Sequence, residues 1–70
     1  MKIKVNGKEQ VLHKSLVSVS ELLVINNVEM PDMVSVQLND NFVRREDFTN
    51  TQLTENDEIE FLYFMGGGSV

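Results

Sequence analysis

Met1-Lys2-Ile3-Lys4-Val5-Asn6-Gly7-Lys8-Glu9-Gln10-Val11-Leu12-His13 is the stretch whose reading decides the fold. Apolar and charged side chains alternate from Met1 to Val5, the period of a strand with one buried face. Asn6-Gly7 then supplies two residues that tolerate positive φ, a strong short-range hairpin signal. Glu9 to His13 is the returning strand. Its register stays open. A two-residue turn puts Leu12 on the face of Ile3 and Val5, a turn with a bulge puts Val11 there, and the two are neighbours in sequence.

Outward from the hairpin, Ser18-Val19-Ser20-Glu21 has the form of a capping box, in which the Ser18 hydroxyl accepts from the Glu21 amide and the Glu21 carboxylate accepts from the Ser18 amide. A helix therefore begins at Val19, with Val19, Leu22 and Leu23 at i, i+3, i+4 as its core stripe. Asn26-Asn27 and Pro31 end it, because Asn tolerates a left-handed stop and Pro lacks the amide a helix needs. Val34, Val36 and Leu38 alternate with Ser35 and Gln37 as a further strand. A turn at Asn39-Asp40-Asn41 leads to a short strand, Phe42-Val43-Arg44. Asp47 to Leu53 reads as an irregular stretch or one helical turn, anchored by Phe48 and Leu53. After a turn at Glu55-Asn56-Asp57, Glu58 to Met65 is the last and most apolar strand. The order β-β-α-β-β-β, a hairpin followed by a helix and more strands, predicts a two-layer α+β domain with the helix packed across a sheet. Residues 1–65 form this domain, and 66–70 are expected to be a flexible glycine tail.

Seventy residues suffice for one small core, and there is no Cys to staple it or to ligate a metal. Eleven acidic against six basic residues give a formal charge of −5, which argues against a nucleic-acid surface and suits a basic protein partner. The 41% hydrophobic content is that of a folded globule. No apolar run approaches the ~20 residues of a membrane span. The strand pattern starts at Met1 without the apolar core of a signal peptide, so the cytoplasm is the expected location.

Gly66-Gly67-Gly68 close behind the final strand needs a reason, since glycine is entropically costly to order. One reading is an unstructured end. The other is a thin tail that enters a narrow channel in a partner, where bare backbone fits and side chains jam. On the last strand, Ile59 and Phe61 belong inward, while Glu58, Glu60, Leu62 and Phe64 belong outward. An outer face that is acidic at its start and apolar towards the tail points to a docking patch at Leu62, Phe64 and Met65. The competing reading has Leu62 and Phe64 covered by Phe48 or a loop. Tyr63 is expected to be packed, and Glu46-Asp47 and Asp57-Glu58 to be solvated turn carboxylates. Arg44-Arg45 reads as a solvated surface pair, and His13 has no companion ligand. No nucleophile, base and orienting group fall together, so no enzyme activity is expected.

Several pieces resemble the sulfur-carrier family of thiamine biosynthesis (ThiS). They are Ile3-Lys4-Val5-Asn6-Gly7-Lys8, Ser20-Glu21-Leu22-Leu23, Val36-Gln37-Leu38-Asn39, Val43-Arg44-Arg45-Glu46-Asp47-Phe48, Leu53, Asp57-Glu58-Ile59-Glu60-Phe61 and Phe64-Met65-Gly66-Gly67-Gly68. The resemblance implies a ubiquitin-like β-grasp fold with the first and last strands parallel at the sheet centre. It also implies an adenylyltransferase of the ubiquitin-activating type that uses ATP to adenylate the Gly68 carboxylate, and a cysteine desulfurase system that supplies the sulfur of a thiocarboxylate. Thiazole synthase would be the acceptor, and the carrier would bind no cofactor of its own. Family members usually end at glycine, whereas here Ser69 and Val70 follow. A trimming peptidase that exposes Gly68 is the expected explanation. An enzyme that tolerates the extension, or a relative that no longer carries sulfur, are the others. Carriers for molybdopterin or amino-acid biosynthesis, and a ubiquitin-like interaction module without chemistry, are the rival functions.

Overall fold

In the computed structural model, which describes residues 1–63, a five-stranded sheet carries one helix across a single face. The strands are β1 (Lys2–Val5), β2 (Lys8–Val11), β3 (Val34–Leu38), β4 (Asn41–Val43) and β5 (Glu58–Tyr63), and the helix is α1 (Val19–Ile25). The sheet order is β2-β1-β5-β3-β4. β1 and β5 pair in parallel, and all other pairs are antiparallel. This is the mixed sheet of a β-grasp fold, with the first and last strands side by side near its centre.

Backbone chemistry at the first turn settles the open register. Asn6 and Gly7 have φ of 52° and 85°, the two left-handed residues of a two-residue hairpin whose twist matches its strands. A Cβ on Gly7 would meet nothing within 4 Å, so the glycine is there for its backbone angle and not for space. Val5 pairs with Lys8 and Lys2 with Val11. The ladder continues where the Leu12 amide donates to the Met1 carbonyl (2.7 Å) and the terminal ammonium donates to the Leu12 carbonyl (2.8 Å). Leu12 is thereby buried and Val11 is 59% exposed. Asn39 and Asp40, with φ of 52° and 72°, build the second hairpin the same way. That turn takes only two residues, so β4 begins at Asn41 and ends at Val43, one residue before the expected Arg44.

Helix α1 starts where the capping box puts it. The Glu21 amide donates to Ser18 Oγ (3.1 Å), and the Ser18 amide donates to Glu21 Oε1 (3.0 Å). It ends in a Schellman arrangement around Asn27 (φ 57°), with Val28 donating to the Leu23 carbonyl and Asn27 to that of Val24, both at 3.0 Å. The carboxamides of Asn26 and Gln10 exchange hydrogen bonds (2.7 and 3.1 Å) and tie the helix end to β2.

The core fills the space between helix and sheet: Ile3, Leu12, Val17, Val19, Leu22, Leu23, Val34, Val36, Phe48, Leu53, Ile59 and Phe61 are all buried. Phe48 and Leu53 anchor the irregular stretch as expected. Its backbone accepts from the helix start, Val19 to Thr51 and Ser20 to Phe48, while Leu53 donates to Val17. A short 3-10 helix, Arg45–Asp47, leads into that stretch, where the Asn50 and Thr51 amides both donate to the Asp47 carbonyl (3.1 and 2.9 Å).

Two expectations about burial fail. Asp57 is not solvated. It is buried because its carboxylate organises a turn, accepting from Asn39 Nδ2 (3.0 Å) and from the Thr54 amide (2.7 Å). Tyr63 is 52% exposed. It shares the inner row with Ile59 and Phe61 and stands opposite the fully buried Val34, at the last position of β5.

Candidate functional site

β5 delivers the chain to the glycine run, and its neighbours fix where it points. Lys4 donates to the Asp57 carbonyl and Asn6 to that of Ile59, both at 2.9 Å. There β1 turns away. The Asn6 side chain takes over, its Oδ1 accepting from the Phe61 amide at 2.8 Å. On the other flank β3 stays paired along the whole strand, from Leu38 opposite Ile59 to Val34 opposite Tyr63. The strand is therefore held from both sides through Phe61 and from one side to Tyr63. Phe64, Met65, Gly66, Gly67 and Gly68, singled out from the sequence, lie outside the described residues.

Alternation sorts the side chains of β5 as predicted. Ile59 and Phe61 are buried beneath the helix, Glu58 and Glu60 are exposed, and Leu62 is half-buried on the outer face. Phe48 belongs to the core on the helix side, so it does not cover Leu62. Across the outer face, Leu62 stands opposite Ser35, and Glu60 stands opposite Gln37, which in turn stands opposite Phe42. Phe42 is 64% exposed. The sequence reading placed it in a strand without assigning it a face. The signal that would have done so is the two-residue turn at Asn39-Asp40, which sets the register of β4 against β3.

Charge is distributed unevenly. Lys2 pairs with Glu9 (3.8 Å), Lys14 with Glu21 (3.1 Å) and Arg44 with Glu46 (2.7 Å). Among the described residues, neither Glu58 nor Glu60 makes an ion pair. Arg44 and Arg45 do not act as a pair. Both are exposed, as expected, and Arg45 donates to the carbonyls of Pro31 (2.6 Å) and Val34 (3.3 Å) with its guanidinium over the Phe48 ring. The Ser18 amide and then the Lys14 ammonium hold the Glu21 carboxyl below its ordinary range, a capping effect remote from this face. Among the described residues, no three His, Asp or Glu side chains group as metal ligands would, and no helix is long and apolar enough to cross a membrane.

The open outer face beside this fixed strand carries Phe42 and Leu62 with charges of both signs, Glu58 standing opposite Lys4. Comparison with known proteins gives this arrangement a setting. The ThiS family model matches residues 2–68, so the match runs to Gly68. The crystal structure of the thiamine biosynthesis protein ThiS from Geobacter metallireducens is 40% identical, with a TM-score of 0.88 over 97% of this chain and 100% of that one. A solution NMR structure of a thiamine biosynthesis protein from the same organism is 39% identical, with a TM-score of 0.80 over 100% of this chain and 91% of that one. No curated protein matches.

Proposed function

The chain belongs to the ThiS family, and from that premise we propose that it is a sulfur carrier of thiamine biosynthesis whose reacting group is the carboxylate of Gly68. The observation that carries this reading is the family match over residues 2–68, ending on the third glycine behind the strand at the sheet centre.

The chemistry assigns each part a task. A carboxylate is a poor electrophile, so an adenylyltransferase of the ubiquitin-activating type first transfers AMP from ATP to it and releases pyrophosphate. The outer sulfur of a protein persulfide, made by a cysteine desulfurase system, then attacks the carbonyl carbon and displaces AMP, and a thiol reductant cleaves the S–S bond of the acyl disulfide so formed. The resulting thiocarboxylate is presented to thiazole synthase. The carrier contributes position only. Tyr63 is held by β3, and five residues from there to Gly68 span at most about 17 Å, so the reacting carbon is tethered within a fixed reach of the docked domain. Glycines 66–68 suit a channel too narrow for side chains. Leu62, Phe64 and Met65 are the docking residues next to it. The Gly68–Ser69 peptide bond must be cleaved first, by a peptidase, because only a free carboxylate can be adenylated.

Intact mass spectrometry of the protein purified from its native host tests this. The expected species end at Gly68, as the acid and as the thiocarboxylate, heavier by the difference between sulfur and oxygen. Finding only chains that retain Ser69-Val70 would count decisively against the reading.

A further inference from the structure

Asn6 does more than the first hairpin asks of it. The two-residue turn needs a residue that accepts positive φ at this position, and Gly or Asp would meet that need as Asn does. The Asn6 carboxamide reaches elsewhere, to the last strand. β1 and β5 form a parallel ladder in which Lys4 donates to the Asp57 carbonyl and Asn6 to that of Ile59. In a regular parallel ladder the next rung would run from the Phe61 amide to the Asn6 carbonyl. With φ of 52° the Asn6 backbone turns into the hairpin instead. Its Oδ1 takes the place of the main-chain oxygen and accepts from the Phe61 amide at 2.8 Å. Phe61 is 7% exposed, so without that oxygen its amide would lose its partner where water reaches poorly. Among the described residues this is the last point at which β5 is held on both flanks. From there to Tyr63 it is held by β3 alone. A strand end paired on one flank opens at a lower free energy than one paired on two.

We propose that Asn6 is a positioning residue for the carrier's reaction: its Oδ1 latches the Phe61 amide and so fixes the direction in which β5 hands the chain on towards Gly68. This inference rests on the sulfur-carrier reading and adds to it a residue 55 positions away from the strand it steers. Asn6 touches no reacting atom and acts through β5. Its contribution is pre-organisation: a strand already aimed at the partner's channel does not have to be ordered during docking.

The test compares Asn6→Gly and Asn6→Asp in the chain ending at Gly68. Asn, Gly and Asp are all favoured before glycine in this turn, so the hairpin persists in each variant. Gly removes the accepting oxygen and Asp retains one. Hydrogen exchange followed by NMR is expected to show the Phe61 amide exchanging about three- to tenfold faster in Asn6→Gly, the effect of losing one hydrogen bond, and near its original rate in Asn6→Asp. In ATP–pyrophosphate exchange by the adenylyltransferase of the same organism, kcat/KM is expected to fall by a similar factor in Asn6→Gly and to recover in Asn6→Asp. Gln10→Ala breaks the carboxamide pair between β2 and the helix end instead, and so controls for lost stability. It is expected to leave kcat/KM unchanged. Unchanged Phe61 exchange or unchanged kcat/KM in Asn6→Gly, no recovery in Asn6→Asp, or an equal fall in Gln10→Ala overturns the latch while the carrier reading stands. No exchange of pyrophosphate with the unsubstituted chain overturns the carrier reading and this proposal with it.

Discussion

The two faces of the sheet are built from the same five strands and do opposite things. On the inner face, Ile3, Val34, Val36 and Ile59 are closed off by helix α1 and the Phe48–Leu53 stretch, and almost nothing polar intrudes. On the outer face, Phe42 of β4 and Leu62, Glu58 and Glu60 of β5 stand on either side of β3 with no layer built over them among the described residues. Side-chain alternation makes the contrast unavoidable, since every residue buried in β5 is next to one that is not. A chain of this size has material for one core only. The uncovered face is therefore available for a partner, and the strand it shares with the core leads directly to the glycine run.

Substitutions on the two faces should separate stability from recognition. Ile59→Ala on the inner face removes a residue that is 1% exposed and should cost about 2–5 kcal/mol, a large fraction of a small domain's stability. Phe42→Ala on the outer face should stay within about 0.5 kcal/mol. Chemical denaturation of the two variants checks the pair, and equal losses would erase the distinction. Asp57→Ala probes the bottom of β5, where both faces depend on one turn. It strands the Asn39 carboxamide and the Thr54 amide and should cost about 1–3 kcal/mol by the same measurement. The smallest effect belongs to Glu21. Its folded carboxyl titrates below the ordinary 4.5, so its contribution is present above that value and is lost as pH falls through the lowered one. Glu21→Gln should make the loss of stability on acidification through this range slightly shallower than in the unsubstituted protein. The effect is kept small by solvent exposure.

The faces were also unequally legible. The inner face follows from local pattern: alternation in β1, β3 and β5, and a capping box that places the first helical residue at Val19. Positions that depend on a partner far along the chain were not readable. Val11 and Leu12 are both apolar, so only the backbone angles of Asn6 and Gly7 decide which is buried. Asp57 looks like a turn carboxylate until Asn39, 18 residues earlier, is brought to it. The Asn6 carboxamide caps the β5 ladder across 55 residues, a contact no local motif encodes. Phe42 could be placed on a strand, but its outward orientation required the turn at Asn39-Asp40. The glycine run itself was plain, and its meaning came from the resemblance spread along the whole chain.

Most direct is ATP–pyrophosphate exchange by the cognate adenylyltransferase, measured on the chain ending at Gly68 and on the same chain retaining Ser69-Val70. The account predicts exchange with the first and none with the second, because only the first presents a glycine carboxylate. Equal exchange with both would contradict the need for trimming, and exchange with neither would contradict the carrier itself.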